Sequence, residues 1–364
     1  MKNILKVVLV IIGTLIGAGF ASGKEVYVFF NKYGSCGLYG MILSGIILSL
    51  VIYKVLKLTK NNKIDNYKEL ITRISEHKKI NKILSNIINI FLLMSFFVMV
   101  SGFASYFYEQ LNINSLIMAI IMAVLCLVTF NRSIDGITKA NTILIPFLII
   151  FIIVAAIING KYFIDNYNYI DSIFINTNSE FKIINNWIVS AILYASYNSI
   201  ILIPILIGLQ DIVERKNIGK ISLITGFIFI ILGISLYSLL LRGQSHIQYL
   251  DIPIISIMNQ FGSTYSNIYG IVVAIAIFTS AISAGYGFLE NFKNSKAKYK
   301  NMTITICGIS IFISMIKFSY LVEILYPIFG LLGLIQIILI LKTKNVVLQL
   351  MWNKNSRKKV IQVV

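Results

Sequence analysis

Charge is scarce along these 364 residues, and that scarcity excludes most of what so long a chain can be. Charged residues make up 13% and hydrophobic residues 57%. Length alone allows two soluble domains, but this composition belongs to the membrane class. Histidine is nearly absent: only His77 and His246 occur, both in connections between apolar runs, so no histidine relay lies in the membrane. Three scattered cysteines, Cys36, Cys126 and Cys307, offer neither a disulfide framework nor a metal spacing. There is no Gly-Lys-Ser/Thr phosphate loop, so energy from ATP would need another subunit. With no acid–base or metal cluster either, the chain is expected not to be an enzyme. The net charge of +18 raises nucleic acid as a partner, but the lysines cluster between apolar runs, as juxtamembrane lysines do. The partner they imply is the lipid bilayer, with no nucleic acid.

Ten apolar segments can be counted: 4–30, 37–56, 83–108, 115–130, 143–158, 187–209, 221–241, 265–289, 302–318 and 321–341. No connection is large enough for a folded domain. The first segment is expected to be retained, since its apolar run is too long for a signal peptide and no clean cleavage site follows. With ten spans and both termini on one side, that side collects 26 of the 32 lysines and arginines, while the acids divide evenly. A basic bias without an acidic one is the positive-inside effect, so both termini are expected to be cytoplasmic. The connection 242–264 has an apolar part too short and interrupted to span, which predicts a re-entrant or interfacial helix around Pro253. The basic tail either lies on the anionic inner leaflet or is plain disorder.

Four places carry the candidate chemistry. Gly17-Ala18-Gly19 interrupts the first segment. Glycine costs about 1 kcal/mol in a helix interior relative to alanine, so the ladder is weak there. It reads as an unwound hinge presenting amides and carbonyls to a solute, or as small-xxx-small helix packing through Gly13, Gly17, Gly19 and Gly23. In the sixth segment, Tyr194-Ala195-Ser196-Tyr197-Asn198-Ser199 sets polar groups inside an apolar span ahead of Pro204. Such a dense cluster favours a site over simple helix–helix glue. In the eighth, the Thr279 and Ser280 hydroxyls supply hard oxygens to a small cation, or bond back to their own helix. Lastly, Lys24, Glu25, Lys317 and Glu323 lie near one membrane face, as gating ion pairs or as side chains reaching for water. Glu25 is the gating candidate among them.

The run Ile12-Gly13-Thr14-Leu15-Ile16-Gly17-Ala18-Gly19-Phe20-Ala21-Ser22-Gly23-Lys24-Glu25 resembles the opening of the YkvI-like bacterial membrane proteins. More broadly the chain resembles the amino acid–polyamine–organocation superfamily with the LeuT-type fold. The resemblance implies an all-α integral membrane protein of ten transmembrane helices in a 5+5 inverted repeat, with helices 1 and 6 broken. It implies one transmembrane domain over 1–364, with repeat one at about 1–158, repeat two at about 187–341 and a cytoplasmic tail at 342–364. By that resemblance a sodium ion would take carbonyls of Gly13, Ile16 and Ala276 and hydroxyls of Thr279 and Ser280. Substrate would meet Gly17, Ala18, Gly19 and Phe20, then Tyr194, Ser196, Tyr197 and Asn198, with Ser101 (or Ser95) and Tyr286 as further candidates. Two departures bear on this. Phe20 stands where relatives that hold a second sodium often carry an amide. The third segment has no tyrosine near its middle to meet a carboxylate. The fifth segment has no lysine of the kind that replaces sodium in some proton-coupled relatives.

The expectation is therefore a sodium-coupled symporter of the bacterial inner membrane. It would move a small zwitterionic or anionic solute such as an amino acid by alternating access. The alternatives are a proton-coupled carrier and a receptor that keeps a transporter fold but moves nothing.

Overall fold

The computed structural model describes residues 2–64, 66–75, 77–131, 135–170, 184–292 and 294–343. Much of the expected outer loop and nearly all of the basic tail fall outside the described residues. Among those described, the regular structure is all helical. This is the outcome forced on apolar runs in lipid, where each backbone polar group must close its bond within the segment. Seven stretches are long and apolar enough to cross a bilayer: Ser35–Asn62, Lys78–Leu111, Ile145–Tyr169, Trp187–Gly208, Arg215–Gly243, Ser263–Phe292 and Phe318–Lys342.

The other three expected segments fall short for separate reasons. The first is divided into α1 (Lys2–Leu15), α2 (Ala18–Ala21) and α3 (Lys24–Phe29). The fourth has only 16 residues as a helix. The ninth begins in a turn with three lysines, Lys296, Lys298 and Lys300. The remaining helices are α4 (Ser35–Asn62), α5 (Tyr67–Ile74), α6 (Lys78–Leu111), α7 (Ser115–Phe130), α8 (Asp135–Asn166), α9 (Trp187–Gly208), α10 (Ile218–Leu240), α11 (Pro253–Asn259), α12 (Ser263–Leu289), α13 (Lys296–Ile313) and α14 (Phe318–Lys342).

Helix α9 lies between α14 and α4, α12 packs along α6, α10 packs on α4 and α8, and α1 leans on α10 and α9. Large apolar side chains point outward along α7 (Ile117, Ile121, Val124, Val128) and α8 (Ile150, Val154, Ile157). Contiguous exposed apolar surface of this kind is what a bilayer covers. The connection after α10 is a 3-10 helix, Leu241–Tyr249, followed by the short α11 with proline in its first turn. This matches the non-spanning helix expected around Pro253. It is fastened to the first segment by Ile254 N donating to Ser22 O at 3.1 Å. Arg242 anchors the same connection, donating to Asn159 Oδ1 while lying between the rings of Tyr162 and Phe261 at 4.6 and 4.8 Å.

One expectation is corrected here. The sixth helix is not broken: α9 runs without interruption from Trp187 to Gly208. Three of its polar side chains are spent on its own backbone. Ser196 Oγ donates to Ile192 O, Asn198 Nδ2 to Tyr194 O, and Ser199 Oγ to Ser196 O. Side-chain bonds of this type supplement the ladder instead of opening it, and proline at 204 is carried inside the helix.

Candidate functional site

The first segment does break. Ile16 N still donates to Ile12 O at 2.8 Å, and the next backbone bond in the ladder is Ala21 N on Gly17 O at 3.0 Å. Between them Gly17 is extended (φ −72°, ψ 177°) and caps α2 without any side-chain bond. A second turn of direction follows at Gly23, whose φ of +82° is left-handed and suits glycine. Ser22 Oγ bridges it, donating to Gly19 O and accepting from Lys24 N. Tyr269 of α12 donates to Ala21 O at 2.7 Å, which pins the outer arm. The break is enclosed in the bundle, yet Gly17 is half-buried and faces open space: a Cβ built there meets nothing within 4 Å.

The left-handed turn sends α3 off so that Glu25 folds back onto the break. Its carboxylate lies directly against Gly19, where a Cβ would collide with Oε1. Tyr194 and Tyr197 of α9 both donate to Oε2, the first at 3.4 Å. Aromatic rings surround them. Phe29 meets Tyr194 at 5.1 Å and Tyr197 at 5.8 Å, and Tyr326 of α14 meets Tyr197 at 4.8 Å. Glu25 is buried, and among the described residues no cation pairs with it and no hydrogen bond reaches Oε1.

Lys24, the adjacent residue, faces elsewhere. It is fully buried, 3.5 Å from Glu323, and donates to Gln248 O at 2.9 Å. Beside it Glu109 accepts from Asp251 N and Ile252 N at the start of α11, and Asp251 Oδ1 accepts from Ser319 N at the start of α14. This cluster ties α3, α6, α11 and α14 together. Sequence reasoning missed Glu109, Asp251, Phe29 and Tyr326. The one local signal was Glu109, an acid at the end of an apolar run, since partners so far apart along the chain carry no local pattern.

The other expected site residues separate into those brought together and those not. Ala18, Gly19 and Phe20 lie at the break, and Tyr194 and Tyr197 meet it through Glu25. Ser196 and Asn198 are buried but bonded within their own helix. Ser101 is committed to Ile316 O at 2.7 Å, in the turn before α14. Ser95 and Tyr286 are half-buried. Thr279 Oγ1 donates to Ile275 O and Ala276 O, the back-bonded arrangement, and Ser280 is half-buried one residue on. Ile16 is buried, and Gly13 has Ile145 of α8 against it. Among the described residues no group of three His, Cys, Asp or Glu is disposed to hold a metal ion. An apolar cavity of about 190 Å³, lined by residues such as Val154, Met258 and Phe261, lies apart from the break and offers a solute no polar anchor.

No family model matches the chain. Two curated proteins of Bacillus subtilis (strain 168) do. The uncharacterized membrane protein YkvI is 27% identical over 332 residues, covering 89% of this chain and 91% of its own. The uncharacterized protein YyaD is 25% identical over 349 residues, covering 93% and 96%. Among solved structures, the substrate-bound outward-open state of a Na+-coupled sialic acid symporter aligns with a TM-score of 0.50. It is 15% identical and covers 92% of this chain and 74% of that one. The YkvI-like resemblance of the opening motif thus extends along nearly the whole chain. The fold it shares with that symporter is of the LeuT type.

Proposed function

We propose that this YkvI-like membrane protein is a secondary active transporter, a symporter that moves a small organic solute such as an amino acid by alternating access. One observation carries the reading. A helix is interrupted inside the bundle at Ile16–Gly17, with open space at Gly17 and the aromatic face of α9 nearby. Backbone groups left out of a ladder at membrane depth are tolerated only where they line a cavity or a binding site. Gly17 to Phe20 with Tyr194 and Tyr197 form the solute's surroundings in this reading. The single domain comprises ten spans in two inverted halves, about 1–158 and 187–341, in an inner membrane with both termini cytoplasmic. The basic bias of the connections on the terminal side supports that orientation.

Sodium is the proposed coupling ion, held by carbonyls of Gly13, Ile16 and Ala276 with the Thr279 and Ser280 hydroxyls. Thr279 Oγ1 keeps its lone pairs while donating to its own helix, so back-bonding leaves it able to take an ion. The test is thermal stability of the purified protein against an amino-acid panel, in sodium and then in potassium. A solute at about 100 times its Kd stabilises by about 2.7 kcal/mol, well within reach of a melting curve. One solute class is expected to stabilise in sodium alone, and Thr279→Ala to remove that dependence. Stabilisation indifferent to the cation sinks sodium coupling.

A further inference from the structure

Glu25 stands on the break as a buried acid with half of its hydrogen-bonding capacity unused. Oε2 is taken by two phenol hydroxyls, while Oε1 lies over Gly19 with no donor among the described residues. The adjacent lysine is committed to Glu323 and Gln248 O, on the far side of α3. A carboxyl group taken out of water is satisfied by a proton or by a compensating charge, and a cationic ligand group supplies the second. An anionic group placed at Ala18, Gly19 and Phe20 would meet a like charge at Oε1. The rings of Phe29, Tyr194, Tyr197 and Tyr326 pack on one another beside the carboxyl group and add no cation of their own. One free carboxylate oxygen offers an ammonium group a charge-assisted partner for one of its three N–H donors, and falls well short of the several hard oxygens a bare metal cation takes.

Resting on the transporter reading, we propose that the solute is held at the break by an ammonium group on Glu25 Oε1. The site then reads the amine end of its cargo there, not a carboxylate end. The open space at Gly17 is where the rest of the solute enters.

The experiment uses the full-length purified protein with glycine, alanine, leucine and phenylalanine, each as the free amino acid, its methyl ester and its N-acetyl derivative. Stabilisation is expected to survive esterification and to be lost on acetylation. Glu25→Gln should weaken binding of the amine-bearing forms by about tenfold or more while the unliganded protein still folds, because the side-chain shape is kept. Gly19→Ala is the second variant. Its Cβ displaces the carboxylate without changing charge, and it should weaken the same ligands.

N-acetyl forms that bind as well as free amines overturn the proposal, as does unchanged amine affinity in Glu25→Gln. So does a Glu25→Gln protein that binds amines normally but loses uptake driven by a pH gradient, which would make Glu25 a proton carrier. A panel in which no amine-bearing form binds at millimolar concentration overturns it as well. Glu25-dependent amine binding without flux into proteoliposomes defeats the transporter reading and leaves this one standing. Flux indifferent to the amine does the reverse.

Discussion

Lys24 and Glu25 are neighbours in the chain, and their separation in space is the most informative event at the scale of single residues. Successive side chains on a helix diverge by about 100°. One charge therefore turns to Glu323 and the connection after α10, the other to the break and α9. The sequence reading placed both near one membrane face and left gating against exposure open. Exposure does not apply to Lys24, which is fully buried. Removing one partner from a buried pair leaves an uncompensated charge and costs about 3–5 kcal/mol, whereas an apolar replacement of both is near neutral or stabilising. Glu323→Gln is accordingly expected to lower the unfolding midpoint in detergent markedly, and Lys24→Met with Glu323→Leu to restore it. A Glu323→Gln midpoint equal to that of the unsubstituted protein would show that the pair holds nothing together.

At the scale of elements, glycine content signalled that the first segment would be interrupted, but not which glycine does what. Gly17 has an ordinary φ and open space, so alanine fits. Gly23 has a φ of +82° with Leu240 Cδ2 at 3.2 Å from the added carbon. Gly17→Ala should leave the melting temperature unchanged or slightly raised while weakening solute binding, since the methyl enters the space proposed for the solute. Gly23→Ala should cost about 1–2 kcal/mol in stability from the left-handed backbone alone. Melting curves and ligand titrations on the two variants separate these effects. The sixth segment is the instructive contrast. Its polar density pointed to a site and the family resemblance to a break, yet Ser196, Asn198 and Ser199 turned their side chains onto carbonyls of α9 and the helix stayed whole. Whether a polar side chain inside an apolar run opens a helix or bonds back to it depends on where its neighbours sit, and local sequence does not carry that.

For the whole molecule, the all-helical membrane class was legible from composition, and most helix positions from hydropathy alone. Seven described stretches meet the length and apolarity of a span. The fourth, at 16 residues, and the ninth, with its lysine-rich first turn, are shorter in apolar length. Ten spans with both termini inside make a distinct prediction. Green fluorescent protein fused after Val364 should fluoresce in cells. In a background free of native cysteine, Asp165→Cys should react with a membrane-impermeant maleimide from outside while Ser295→Cys should not. Labelling of Ser295→Cys in intact cells would overturn the proposed orientation.

What the sequence determined by itself follows from one-dimensional quantities: apolar run length, the uneven placement of lysine and arginine, and the two closely spaced glycines of the first segment. These set the solvent, the helical class and the site of one interruption, because each acts through a single segment and its immediate surroundings. Tertiary structure alone decided that Glu25 folds back over Gly19 beneath two tyrosines about 170 residues further along, and that Lys24 finds Glu323 some 300 residues on. Those pairings depend on how helices cross, and an electrostatic partner that arrives from a distant helix leaves no mark on the residues beside the one it meets.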